Sequence, residues 1–197
     1  MADFDEHFAD TPTCFVSFAS MGEGDPHGCH FEWRKTLHEE LRISTVLMRD
    51  PTYQWYQSGV SGIGDIPATV QYVRALKDRW RVITVGVSMG GFGALLFGIL
   101  AGVPEIIALA PQTILGSDPR WKDNWPNVKD MPEPDIAKHL PCESHIRVFI
   151  GDDDKKGLDR GHYDRIADHA ELSIVSGCDH STLARVMRDN GFFASYA

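Results

Sequence analysis

The chain has 197 residues, a length that suits one domain with its own apolar core, and its apolar fraction of 43% and charged fraction of 24% are those of an ordinary globular protein. A net charge of -9 disfavours nucleic acid and anionic membrane surfaces as partners, because both would repel the average surface. The acidic start MADFDEHFAD lacks the basic-then-apolar order of a secretory signal, and no apolar run reaches bilayer-spanning length, so a cytoplasmic protein with no membrane contact is expected.

In chain order, short β-rich runs alternate with amphipathic ones, the pattern of βα units that build a mostly parallel sheet. TCFVSFA (13–19) reads as the first strand. A Gly-rich loop, a helix over 31–41 and a strand over 43–48 follow. A loop carrying Tyr53, Trp55 and Tyr56 then leads into a helix over 66–80, with Pro67 in its first turn. RVITVGV (81–87) is continuous in β-branched residues, as a strand covered on both faces should be, and a helix over 89–101 and a strand over 105–110 come next. Residues 111–141, with several prolines, Trp121 and Trp125, form an irregular stretch whose length marks a candidate lid or cap. A strand over 146–151, a helix from Arg160, a strand over 171–177 and a closing helix ended by Gly191 complete a single domain.

The scattered cysteines, Cys14, Cys29, Cys142 and Cys178, have no CxxC spacing and read as reduced, small apolar residues rather than a metal or redox site. Chemistry is concentrated instead in Gly86-Val87-Ser88-Met89-Gly90, a G-x-S-x-G set between a strand and a helix. Such a turn lifts a serine hydroxyl above the sheet edge, and the helix start aims free N–H groups at developing negative charge. The competing reading, a phosphate cradle, lacks both the P-loop lysine and the G-x-G-x-x-G spacing.

A serine needs a base, and the order of such a site places an acid and then a histidine after later strands. His180, in GCDHST after the last strand, has the required place. The acid falls in the run Asp152-Asp153-Asp154, of which Asp154 is the choice and Asp153 the reserve. A calcium loop is the rival use of that run, but the EF-hand completion is missing, so no metal is expected. Backbone N–H groups of Met89 and of Met21 or Ser20, in the loop after the first strand, are the expected oxyanion donors. Tyr53, Trp55, Tyr56, Gln112, Trp121 and Trp125 lie beyond strand C-terminal ends and are candidate substrate contacts.

With GVSMGG, VFIGDDD and GCDH in place, the chain resembles the α/β-hydrolase superfamily over nearly its whole length. The resemblance implies a mostly parallel sheet of about six strands with helices on both faces. It also implies a cofactor-free serine hydrolase acting on a small-molecule carboxylic ester, with Ser88, Asp154 and His180 as its triad. The glycine-to-aspartate spacing of that family is what points to Asp154. Two features depart from its pattern: the dozen residues before the first strand are too few for the usual antiparallel hairpin, and the oxyanion loop reads ASMGEG instead of a His-Gly form. An acyltransferase or a thioesterase would use the same triad, and a non-catalytic binding protein could keep the fold. The oligomeric state is not encoded in any pattern here.

Overall fold

The computed structural model describes residues 3–21, 30–117, 119 and 128–196. Seven strands form one sheet: β1 (Phe4–His7), β2 (Thr13–Phe18), β3 (Ser44–Met48), β4 (Arg81–Val87), β5 (Glu105–Leu109), β6 (His145–Gly151) and β7 (Ala170–Val175). Their order is β1-β3-β2-β4-β5-β6-β7, and every pairing is parallel except that of β1 with β3. The expected six strands thus become seven. The dozen residues ahead of β2, too short for a hairpin, supply one antiparallel edge strand.

The central strands β2 to β5 carry apolar side chains on both faces because both faces are covered. On one face lie α1 (Ile66–Leu76) and α2 (Met89–Ala101). All but one of the residues of α2 are buried, so its sequence is apolar all round, as a helix trapped between a sheet and a second helix must be. Asp65 caps α1 by accepting the Ala68 N–H, and Gly102 in the left-handed region stops α2. On the other face, a π-helix over Arg34–Glu40 and α4 (Leu183–Asp189) enclose a second cluster built on Phe15, Trp33, Leu37, Leu183 and Phe193. The helix expected over 31–41 is therefore a shorter, wider turn, and the one expected from Arg160 is α3 (Leu158–Asp164).

The described ends of the irregular stretch are packed down: Leu115 and Ile136 are buried, and Ile114 bridges Asp135. The Gln57 side-chain amide clamps Glu133, donating to its carbonyl at 3.0 Å and accepting from its N–H at 2.8 Å. Trp121 and Trp125 lie outside the described residues, as does Cys29. Cys14 and Cys178 are buried free thiols, both pushed up by burial, Cys14 to about 12, which leaves them poor nucleophiles. Among the described residues, no helix is long and apolar enough to cross a membrane.

Candidate active site

Ser88 lies between β4 and α2, at the N-cap of the helix, with φ 52° and ψ -115°, a conformation sparsely populated by L-residues. Close packing holds it there. A Cβ on Gly86 would stand 2.1 Å from the Gly90 carbonyl oxygen, and one on Gly90 would stand 2.0 Å from that of Phe18. The two glycines flanking the serine are therefore required by backbone approaching backbone. Phe92 N–H donates to Ser88 O at 3.0 Å to close the first turn, so the N–H groups of Met89, Gly90 and Gly91 precede the intrahelical ladder.

Ser88 Oγ lies 3.0 Å from His180 Nε2. The opposite ring nitrogen, Nδ1, lies 2.9 and 3.0 Å from the two carboxylate oxygens of Asp159. A carboxylate only accepts, so Nδ1 donates to it, and Nε2 is left as the acceptor for the serine proton. Asp159 is 1% exposed, so water screens its carboxylate little from the imidazole.

Asp159 corrects the choice of Asp154. The carboxylate of Asp154 is occupied elsewhere, accepting the Leu158 N–H at 3.0 Å and the Arg160 N–H at 2.9 Å, where it fixes the start of α3. Asp153 pairs with Lys155 at the surface, and Asp152 accepts the N–H groups of Gly177 and Cys178. In the run that looked like the acid, Asp152 and Asp154 are thus backbone anchors and Asp153 a surface ion-pair partner, and the helix that Asp154 starts carries the partner of the imidazole inward. Gly157, with φ +62°, supplies the bend between them.

Two further anchors were not read from sequence. Asp179 accepts the Thr182 hydroxyl and the N–H groups of Thr182 and Ser181, which hold its carboxyl below the ordinary range and stiffen the loop that presents His180. Thr113 N–H donates to Nδ1 of the buried His162, one turn beyond Asp159, and ties α3 to the loop after β5. An Asp-x-x-Thr step before a helix is a capping signal that could have revealed the first. The second pairs residues far apart in the chain and leaves no local trace.

Of the expected oxyanion donors, Met89 starts α2 and Met21 packs beside the first core cluster. Ser20 is corrected: its N–H donates to Glu32 at 2.8 Å. Burial raises the Glu32 carboxyl above its ordinary value, against the lowering effect of the Ser20 bonds.

The aromatic contacts also divide. Trp55 and Tyr56 are fully buried and sit in a loop wound around the Asp50 carboxylate, which accepts the N–H groups of Thr52, Gln54 and Tyr56. Tyr56 donates its hydroxyl to Ala19 O at 2.8 Å. Neither ring offers a surface to a ligand, so the expectation of direct substrate contact is replaced by a structural one. Tyr53 is half-buried. Gln112 does reach the site, with its side-chain nitrogen 3.4 Å from Ser88 Oγ.

Known structures share this architecture. A capsule O-acetyltransferase of Neisseria meningitidis serogroup A superposes with a TM-score of 0.69 at 17% identity, covering 98% of this chain and 90% of its own. A lipase-esterase related protein from Clostridium acetobutylicum gives 0.64 at 13% identity, with full coverage of both chains. An alpha/beta hydrolase enzyme from the metagenome of Mar Chica lagoon sediments superposes with a TM-score of 0.59 at 15% identity over 98% of this chain and 93% of its own. The fold is that of the α/β hydrolases. A thermophilic esterase from Thermogutta terrifontis gives 0.58 at 15% identity over 98% of this chain and 88% of its own. Neither family models nor curated proteins give a match at the level of sequence.

Proposed function

We propose that the protein is a serine hydrolase that cleaves a carboxylic ester through an acyl-enzyme. Ser88 Oγ bonds to the carbonyl carbon as its proton passes to His180 Nε2. Asp159 stabilises the imidazolium, and the ring then protonates the departing alkoxide. Water, deprotonated by the same ring, releases the acid and returns the proton to Ser88. The N–H groups of Met89 and Met21 are the donors proposed for the tetrahedral oxyanion.

The observation that carries this reading is the line from Asp159 through His180 to Ser88, with all three contacts at 2.9 to 3.0 Å. The esterases that share the fold support it. The test is fluorophosphonate labelling together with a panel of short acyl, long acyl and acetylated-sugar esters. Labelling and turnover should both vanish in Ser88→Ala with the fold intact; turnover retained by that variant would remove the serine from the mechanism.

Acyl transfer is the second reading, favoured by the meningococcal O-acetyltransferase, whose H228A variant has been solved in complex with CoA. The same acyl-serine would then be intercepted by an alcohol. Product analysis with a competing acceptor separates the two: transfer product exceeding free acid at modest acceptor concentration assigns a transferase.

A further inference from the structure

Ser88 has a second neighbour besides His180. Gln112 is completely buried beside it, with Nε2 at 3.4 Å and Oε1 at 3.5 Å from Ser88 Oγ, so distance alone leaves open which end of the amide faces the serine. Trp55 decides. Its indole Nε1 is a donor only and lies 3.1 Å from Gln112 Oε1. Turning the amide over would set the indole N–H against an NH2 group in a buried place and leave donors without acceptors, a costly arrangement. The amide oxygen therefore stays on Trp55, and the NH2 group faces Ser88.

That orientation matters for the serine proton. A hydroxyl has one proton and two lone pairs. With the NH2 group at one lone pair, and with Gln112 Oε1 engaged by the indole at 3.1 Å and standing 3.5 Å from Oγ, the nearer acceptor for the Ser88 proton is His180 Nε2 at 3.0 Å. Reversed, the amide oxygen would compete with the imidazole for it.

We infer that Gln112 is a catalytic donor to Ser88 Oγ and that Trp55 is the positioning residue that keeps it so; the inference rests on the serine-nucleophile reading. During acylation the N–H donor stabilises charge on Oγ as its proton leaves for His180. During deacylation the bond between Oγ and the acyl carbon breaks, Oγ takes the electron pair and then the proton from His180, and the same donor stabilises the charge gathering there. The long apo distance is expected to shorten as that charge develops. The fully buried Trp55 is in turn held by the loop wound on Asp50, so an aromatic residue that touches no substrate acts on the reaction through one amide.

The experiment compares second-order rates of Ser88 labelling by a fluorophosphonate in the wild type, Gln112→Met, Gln112→Glu, Trp55→Phe and the Trp55→Phe/Gln112→Met double variant. Thermal midpoints confirm folding. Loss of one such hydrogen bond corresponds to about a tenfold slower rate for Gln112→Met. Gln112→Glu, which keeps the volume and an acceptor for the indole but lacks the donor, slows at least as much and answers the question if the methionine variant does not fold. Trp55→Phe slows labelling in the wild-type background and adds nothing to Gln112→Met, whereas a merely structural tryptophan would slow both backgrounds equally. Rates within twofold of wild type for both Gln112 variants, or a Trp55→Phe effect that persists without Gln112, overturn the inference. A wild-type protein that never labels overturns the serine reading itself, a distinct result.

Discussion

The serine side of the site and the acid side are built differently. Ser88 stands at the centre of the sheet, between β4 and α2, where strand, turn and helix are almost wholly buried and the turn is dictated by close backbone contacts, one inside the turn between Gly86 and Gly90 and one from Gly90 to Phe18 at the end of β2. Asp159 comes from the β6–α3–β7 edge, where every residue of β7 is half-buried or exposed and Ile174 is 51% exposed. At the centre, local sterics prescribe the sequence. At the edge, several carboxylates are locally equivalent, and only their hydrogen-bond partners distinguish the one that meets the imidazole.

The sharpest way to test that contrast is to exchange the carboxylates for amides one at a time. Asp159→Asn should lower turnover by about 10⁴-fold, because an amide no longer fixes the histidine tautomer. Asp154→Asn should leave turnover within a few-fold of wild type, since its oxygen can still cap α3. Steady-state kinetics on one activated ester decides the matter, and equal losses would return Asp154 to the site.

Glycines separate the two regions next. Gly86→Ala drives a Cβ into backbone and should cost about 3 kcal/mol or more in urea unfolding. Gly157→Ala, on the acid side, meets nothing within 4 Å and bears only left-handed strain, about 1–2 kcal/mol. A Gly157 variant as damaged as the Gly86 variant would erase the distinction between steric and conformational requirements.

Asp154→Ala should cost about 1 kcal/mol, a typical helix-cap loss, read from the shift in urea midpoint. Glu32, which accepts the Ser20 N–H in the loop after β2, provides the counterpart. Its folded value is raised above the ordinary 4.5, so the folded state holds the proton more tightly than the unfolded one. Its contribution is fully present below 4.5 and is lost as pH climbs toward the raised value. Unfolding midpoints measured across that window should therefore fall less in Glu32→Gln than in the wild type; parallel slopes would mean that the carboxyl is not buried as described.

Much of the architecture was legible. Arg81–Val87 and Met89–Ala101 match their expected bounds because a β-branched run and an apolar helix are separated by a turn that only glycine permits. His180 was legible from its place after the last strand. The aromatic loop was not: Trp55 and Tyr56 lie beyond a strand end, as ligand contacts do, but the Asp50 carboxylate folds that loop inward and buries both rings.

By itself, the sequence determined what depends on short range: the alternation that makes a parallel sheet, the strained turn under Ser88, and the order of that serine before His180. Tertiary structure alone decided which carboxylate meets His180 and which end of the Gln112 amide faces Ser88. Those choices are made by hydrogen-bond partners many residues away, and a chain carries no local mark of a partner it meets only after folding.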